Sequence, residues 1–189
     1  MSEWTHTSAF ARPTRDAEVH VWDRFVRAFH WGVVGLFVVA FVTADRFDAL
    51  HEAAGYGVLC LLGLRLVWGF IGPSHARFSS FARGPRAILV FLKATLRLKA
   101  PRHLGHNPAG GAMALALMAA LAVVASSGVA LTVPALDGAR WVEALHEGAV
   151  AATLGLVALH LVGVLVASLE HGENLVRAMI TGRKRAPDL

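Results

Sequence analysis

Charged residues are scarce in this chain. Lys, Arg, Asp and Glu make up 16% of its 189 residues, whereas a soluble domain of this size carries about a quarter. Cysteine is nearly absent as well, since Cys60 is the only one, which excludes an iron–sulfur cluster held by several cysteines. There is no C-x-x-C-H motif for covalent attachment of a c-type haem. A glycine-rich phosphate loop between alternating strands and helices is also lacking, so we expect no nucleotide-binding domain.

Apolar residues make up 56% of the chain and are concentrated in four long runs. Residues 28–44, 108–136 and 148–169 contain no charged side chain, and residues 53–72 contain only Arg65. Each run approaches or exceeds the roughly 20 residues that a helix needs to cross a membrane. The runs have no polar face, which argues against buried helices of a soluble bundle. The sequence therefore predicts an all-α integral membrane protein, a bundle of four transmembrane helices embedded in lipid.

The basic residues predict the orientation of the bundle. Fifteen of the eighteen precede the first run, lie between the second and third runs or follow the fourth; the exceptions are Arg46, Arg65 and Arg140. The positive-inside rule therefore puts both termini in the cytoplasm. We expect a single membrane domain over residues 1–189, with tails at 1–21 and 182–189 around the four-helix part at 22–181. The sequence pI of about 10.3 follows from this topology and does not indicate a nucleic-acid partner.

Residues 85–99, PRAILVFLKATLRLK, are too few and too basic to span a membrane. Pro85 suits the first turn of a helix. Arg86, Lys93 and Arg97 recur on one helical face. The segment predicts an additional amphipathic helix that lies on the cytoplasmic surface, between transmembrane helices 2 and 3. A docking site for a cytoplasmic partner is the alternative.

Four of the ten histidines lie inside or at the start of the apolar runs: His30, His51, His146 and His160. An ionisable group is costly in a membrane helix and so indicates a functional site, although a single histidine can equally be hydrogen-bonded to a neighbouring helix. The other six lie in predicted tails and loops, where an exposed histidine usually has no special role; they are His6, His20, His75, His103, His106 and His171.

The spacing of these four histidines sorts them into two pairs. His146 and His160 are fourteen residues apart, close to four helical turns, so they share a face and are separated by about 21 Å along the helix. His51 opens the second span at the outer surface, level with His146. His30 enters the first span from the cytoplasm, level with His160. We therefore expect an outer pair, His51 with His146, and an inner pair, His30 with His160.

Two neutral imidazoles that face each other across a bundle can be the axial ligands of a six-coordinate haem iron. Zinc would require three or four protein ligands, and a carboxylate-bridged di-iron site would require Glu-x-x-His pairs, which the spans lack. The sequence therefore predicts two b haems. Small residues near the histidines would let a macrocycle lie close to the backbone, or would serve close helix–helix contact; they are Gly32, Gly35, Gly55, Gly57, Gly148, Gly155 and Gly163.

Arg65 follows His51 by fourteen residues, so it shares the face of that histidine and lies at the depth of the inner pair. A lone arginine inside a span requires an anion, and haem propionates are anions. We therefore predict that Arg65 contributes to binding of the inner haem. The alternative is that its side chain extends to the cytoplasmic headgroups.

Several segments together resemble the prokaryotic di-haem cytochrome b561 superfamily, which includes the b-type cytochrome subunits of nickel–iron hydrogenases. They are VWDRFVRAFHW (21–31), LHEAAGYG (50–57), RLVWGFIGPSHARFSSF (65–81), GHNPAGG (105–111) and the LHEGA…LH pair that begins at Leu145. The resemblance covers about residues 20–180 and implies the ligand role for the same four histidines. It also implies a bacterial inner-membrane protein that transfers electrons between the quinone pool and a redox partner.

That partner would be a periplasmic c-type cytochrome or a hydrogenase-like membrane protein. One branch of the superfamily is instead enzymatic and oxidises superoxide at the outer face. The outer segments of this chain carry six acids against Arg46 and Arg140; the acids are Asp45, Asp48, Glu52, Asp137, Glu143 and Glu147. Because an acidic surface repels superoxide and attracts a basic protein, we expect a protein partner, with superoxide oxidase as the second interpretation. A histidine-based proton channel is the alternative of a different class. A homodimer and a role for His106 in a cytoplasmic quinone site are left open.

Overall fold

The computed structural model describes residues 18–136 and 138–186, which are mostly helical. These residues form seven helices: α1 (Arg24–Thr43), α2 (Asp48–Ile71), α3 (Phe78–Phe81), α4 (Pro85–Thr95), α5 (Pro108–Leu131), α6 (Arg140–His171) and α7 (Leu175–Thr181). Single 3₁₀ turns occupy Ser74–Ala76 and Pro134–Leu136, and two short strands, β1 (Glu18–His20) and β2 (Arg183–Arg185), complete the described part.

Helices α1, α2, α5 and α6 are long and apolar enough to cross a membrane, so four membrane-spanning helices are confirmed. Polar residues cap the first turns of two of these helices. Helix α1 begins at Arg24, because the carboxylate of Asp23 accepts a hydrogen bond from Val26 N at 3.0 Å. Asn107 caps α5 by accepting from Gly110 N at 2.6 Å. Helix α5 ends at Leu131 and not at residue 136, because Pro134 disfavours a helical conformation at the residue before it.

The four long helices pack in chain order, α1 on α2, α2 on α5 and α5 on α6. The main core is built by α1, α2 and α5 alone; its buried residues are Val33, Val58, Leu62, Leu121 and Ala125. Successive long helices are antiparallel. The bundle therefore has a hairpin end, formed by residues 44–47, 132–136 and 138–139, and a termini end, formed by β1, β2 and residues 72–107.

Strands β1 and β2 pair antiparallel, with Glu18 opposite Arg185 and His20 opposite Arg183. Val21 and Trp22, directly after β1, are buried in a second cluster at the termini end. Residues 18–21 and 183–185 were expected to be tails, but they belong to the folded part of the chain. The pairing joins the segments on either side of the four long helices at one end of the bundle, as an even number of antiparallel helices requires.

Helix α4 is shorter than the amphipathic helix predicted for residues 85–99. Pro85 lies in its first turn as expected, but the helix ends at Thr95, and Leu98 adopts a left-handed backbone conformation with φ of 52°. A helix cannot continue through that conformation. Arg97 is therefore not part of the helical face to which the sequence analysis assigned it.

Glu173, in the turn between α6 and α7, joins three segments at the termini end. Its carboxylate accepts from Arg102 Nη2 at 2.9 Å and from Arg185 N at 3.0 Å, and lies 3.4 Å from Lys184 Nζ. Burial would raise the pKa of Glu173, but the hydrogen bond from Arg102 and the charge of Lys184 lower the pKa below its usual value. The ionised carboxylate thus holds β2 and the segment before α5 together.

Glu173→Gln is expected to lower the thermal denaturation midpoint of the detergent-solubilised protein. The substitution leaves Lys184, whose side chain is 6% exposed, without its counter-ion, which should cost roughly 2–3 kcal/mol. Glu18→Gln is the matched control, because the Glu18–Arg183 pair (3.6 Å) is exposed and should contribute less than about 1 kcal/mol. Equal destabilisation by both substitutions would show that Glu173 does not hold β2 and the segment before α5 together.

Candidate functional site

His51 and His146 lie next to each other at the hairpin end of the bundle. His51 is in the first turn of α2 and His146 is in the second turn of α6. Both helices run away from the hairpin end, so their first turns share a depth. The ring centroids are 6.3 Å apart and the ring planes are inclined by 76°.

Each ring of this pair uses its Nδ1 atom in a hydrogen bond. His51 Nδ1 is 2.8 Å from Ala40 O, and His146 Nδ1 is 3.0 Å from Val124 O. A carbonyl oxygen can only accept, so both Nδ1 atoms carry the proton and donate it. The Ser127 hydroxyl lies 3.1 Å from the same nitrogen of His146 and 2.6 Å from Val123 O. In these tautomers both Nε2 atoms are unprotonated and available to a metal.

His30 and His160 lie next to each other at the termini end. His30 is in the second turn of α1, which starts there, and His160 is fourteen residues beyond His146 on α6. Their ring centroids are 6.5 Å apart, with the planes inclined by 52°. His30 Nδ1 is buried and has no hydrogen-bond partner among the described residues. The two pairs therefore have the same separation but different surroundings.

This separation is the one that two imidazoles need to bind opposite sides of one metal ion. Metal–nitrogen bonds of about 2 Å, with about 1.1 Å from each nitrogen to its ring centre, place the centroids about 6.2 Å apart. Among residues 18–136 and 138–186, no three His, Cys, Asp or Glu side chains converge on one point. Each position therefore supplies two nitrogens, the number that a bis-histidine haem iron takes from a protein.

Open space adjoins several of the glycines near the histidines. An added Cβ would meet no atom within 4 Å at five positions: Gly35, Gly55, Gly148, Gly155 and Gly163. Close helix–helix contact is thus not the reason for glycine there. At Gly32 and Gly57 a neighbouring leucine lies close, since an added Cβ would be 3.1 Å from Leu61 Cδ1 and 2.8 Å from Leu36 Cδ1, respectively. The open positions fit a flat macrocycle beside the rings, and they fit lipid equally well.

Arg65 is buried in the interior of the bundle, at 3% exposure, and so does not extend to the surface. Nη2 donates to Ala76 O at 2.9 Å, and the guanidinium carbon lies 4.9 Å from the centre of the Phe78 ring. Nη1 is also buried, and no described residue accepts from it. A guanidinium with one free buried donor can bind an anion that enters the bundle.

His106 was expected to be exposed, but it packs between two aromatic rings. The centroids of Trp22 and Phe81 lie 4.7 and 4.6 Å from its own, and its Nδ1 atom is buried without a partner in the described part of the chain. Burial, together with the charges of Arg65 and Lys184, lowers the pKa of His106 to about 4. A neutral imidazole is therefore part of the interior of the termini end.

Two contacts of His146 were missed by the sequence analysis, and both come from α5. Ser127 contributes the hydroxyl described above, and Gly128 lies against the ring, since an added Cβ there would be 3.2 Å from His146 Cε1. The signal was visible as the sequence Ser126-Ser127-Gly128 near the end of an otherwise apolar helix. These residues set how closely α5 approaches the ring.

A model of the family described as prokaryotic cytochrome b561 matches residues 21–182, a range that includes the four histidines, Arg65 and His106. The chain belongs to the prokaryotic cytochrome b561 family. No curated protein and no solved structure matches the chain significantly. The family is one of multi-pass membrane proteins that transfer electrons across the membrane by b-type haem, and the four apolar helices of this chain agree with that activity.

The half-buried His106, whose Nδ1 atom is buried, should make the folded protein less stable as the pH falls. With a folded-state pKa of about 4 and an unfolded value of about 6.5, the unfolded chain binds a proton at His106 between these pH values and the folded chain does not. The denaturation midpoint of the wild type should therefore fall, relative to that of His106→Gln, as the pH decreases from 7 to 5. A difference between the two midpoints that does not depend on pH would show that His106 is not held neutral.

Proposed function

We propose that this protein transfers electrons through two b haems, one bound by His51 and His146 and the other by His30 and His160. The observation that supports this most strongly is that two separate histidine pairs share one ring separation, 6.3 and 6.5 Å, which suits two axial ligands of one iron. When bound, the haems supply the reversible one-electron chemistry. The chain fixes their positions near opposite surfaces, about 21 Å apart along α6 in a hydrocarbon core of roughly 30 Å.

The termini end is proposed to face the cytoplasm and the hairpin end the periplasm of a bacterial inner membrane. Described bases at the termini end include Arg77, Arg83, Arg86, Lys93, Arg97, Lys99 and Arg102, in a segment that contains no acid. The exposed apolar residues Leu89 and Val90 of α4 lie in the same segment as Arg86 and Lys93. That combination supports a position for α4 at the membrane surface, among anionic headgroups.

Arg65 is proposed to bind a propionate of the haem held by His30 and His160. Its buried position supports this role over the headgroup alternative, and its Nη1 donor, unpaired among the described residues, is available to an acceptor. A propionate would supply the charge and the hydrogen bond together. His106 lies in the same region, and its pKa is lowered by burial and by the charge of Arg65. The neutral form of His106 adds no further positive charge there.

The redox partners are proposed to be the quinone pool, which is dissolved in the surrounding lipid, and a protein at the hairpin end. Among the described residues, five acids and only two bases, Arg46 and Arg140, are exposed at that end. The acids are Asp45, Asp48, Glu52, Glu143 and Glu147. Asp137, the sixth acid of the sequence analysis, lies outside the described residues. This surface suits a basic periplasmic c-type cytochrome or a hydrogenase-like partner, because such encounters are transient and steered by charge.

The purified protein should contain two six-coordinate, low-spin b haems per chain. His51→Ala and His146→Ala should remove the same spectral component, and His30→Ala and His160→Ala the other, because each pair shares one iron. Pyridine haemochrome assays and reduced-minus-oxidised spectra measure both. His171→Ala, at the end of the same helix as His146 and His160, is the control and should retain both haems. One haem per chain, or the same loss for His30→Ala and His146→Ala, would refute the proposal.

Superoxide oxidation, the second interpretation, should be slow in this protein. The acidic hairpin end repels an anion, so stopped-flow oxidation of superoxide in detergent should be far below the diffusion limit and should rise with salt concentration. Arg140→Glu should slow the reaction further, because it replaces one of the two bases with an acid. A rate near the diffusion limit that falls as salt is added would instead favour the superoxide oxidase.

A further inference from the structure

The turn that follows α4 exposes two leucines outside the four membrane-spanning helices. Leu96 is 86% exposed, more than any other large apolar side chain of the described residues, and Leu98 is 70% exposed. Exposed leucines are expected on the spanning helices, because lipid covers them, but these two belong to none of the spans. Leu89 and Val90 of α4 are exposed as well. Apolar side chains grouped in this way mark a contact with a membrane or with another molecule.

This turn, residues 96–99, which we call the α4 tip, has a fixed conformation. Leu98 N donates to Thr95 O and Lys99 N donates to Ala94 O, each at 2.9 Å, which is the hydrogen-bond pattern of a Schellman helix end. Glycine usually occupies the left-handed position of that motif. Here it is Leu98, the only non-glycine residue with a positive φ among the described residues. Because a leucine strains the backbone there, we expect its side chain to have a role that glycine cannot fill.

Contacts on both sides of the α4 tip hold it beside the end of a membrane-spanning helix. Phe91 of α4 is buried, and its ring centre lies 5.6 Å from that of His103. Ala100, directly after the tip, is buried too and donates its N–H to Glu170 Oε1 at 2.7 Å. Glu170 is the first charged residue after the charge-free run 148–169 of α6. The α4 tip therefore lies at the depth where this helix leaves the hydrocarbon for the headgroup layer.

The charges of the α4 tip are positive and have no counter-ion among the described residues. Arg97 and Lys99 are exposed, and neither takes part in the salt bridges of the described part of the chain. Residues 72–107 contain no acid that could pair with them. Bases next to exposed leucines at a membrane boundary suit a lipid, whose phosphate pairs with the bases and whose acyl chains cover the leucines. A small soluble anion would use the bases alone.

We propose that the α4 tip binds an anionic phospholipid of the leaflet at the termini end. Leu96 and Leu98 lie among the acyl chains, and Arg97 and Lys99 lie at the headgroup phosphate. This inference rests on the membrane-surface position of α4 in the proposed function, but it does not depend on the haems. Bound lipid stabilises the folded connection between α4 and α6, because a ligand favours the state that binds it.

The charged half of the site is tested by titrating the detergent-solubilised full-length protein with phosphatidylglycerol and counting bound lipids by native mass spectrometry. Each base beside an anionic lipid contributes about a fivefold factor, so Arg97→Gln combined with Lys99→Gln should weaken the tightest binding roughly 25-fold. Arg46→Gln combined with Arg140→Gln is the matched control, because it removes the same charge from exposed positions at the hairpin end. Equal weakening by the two double substitutions would overturn the assignment to the α4 tip.

Leu98→Asn tests the apolar half of the site, because asparagine tolerates the left-handed conformation and so retains the turn. The substitution should weaken binding of phosphatidylglycerol about tenfold, as expected for the loss of one leucine from an apolar contact. Inorganic phosphate should not displace the lipid from the wild type. Unchanged affinity in Leu98→Asn, or displacement by phosphate, would mean that the bases bind a free anion and would overturn the lipid assignment.

A nitroxide label on Leu96→Cys measures the depth of the α4 tip in nanodiscs of phosphatidylcholine and phosphatidylglycerol. The background is Cys60→Ser, since Cys60 is the only native cysteine. Oxygen, which concentrates in lipid, should relax this label more than a water-soluble nickel chelate does. The reverse should hold for a label on Glu18→Cys, an exposed residue of β1. Equal behaviour of the two labels would favour a soluble protein partner and overturn the proposal.

The outcomes are separable from those of the proposed function. The lipid and label measurements do not require haem, so a chain with fewer than two haems refutes the proposed electron transfer and leaves the lipid site standing. Two haems per chain together with a water-exposed label at the α4 tip overturn only the lipid site.

Discussion

Leaving a ring nitrogen of a buried histidine without a partner costs free energy, and at His51 and His146 this cost links the helices of the bundle. His51 and His146 avoid half of it with backbone carbonyls of neighbouring helices, Ala40 O on α1 and Val124 O on α5. A carbonyl oxygen has two lone pairs, so it can accept from an imidazole in addition to a helical N–H. The Nε2 atom of each ring makes no such hydrogen bond and remains available between the two helices. In the proposed function, an iron bound between the rings would use both of these nitrogens.

The same cost explains why α6 can lie outside the main core. The buried cluster is formed by α1, α2 and α5, and within α6 only Val142 and Thr153 are buried. Yet α6 provides one histidine to each pair, and the partners are on α1 and α2. In the proposed function, bound haem therefore connects α6 to two helices that it otherwise contacts little. Ligand binding of this kind stabilises the assembled state over the separated one.

The features that the sequence predicted are those fixed by distance along a single helix. Charges are excluded from hydrocarbon, so the four apolar runs could be found, and a rise of 1.5 Å per residue set the depths of His146 and His160. The contacts of Ser127 and Gly128 with His146 depend on how α5 is rotated against α6, which no spacing reveals. His106 was placed among exposed loop residues, because only the fold of residues 72–107 brings Trp22 and Phe81 around it. Strands of three residues with four charges among them, such as β1 and β2, carry no apolar alternation from which to predict them.

The charges that orient the bundle also act on its interior. Membrane insertion places the basic segments on the cytoplasmic side, and in this chain the buried Arg65 and Lys184 lie at that same end, with exposed acids at the other. Salt screens exposed charges more than buried ones, so buried Arg65 keeps more of its electrostatic effect than an exposed acid does. In the proposed function, the positive charge of Arg65 is available to an anionic group of the haem held by His30 and His160. The topology of the protein and the end of the bundle at which an anion is bound would then have one physical origin.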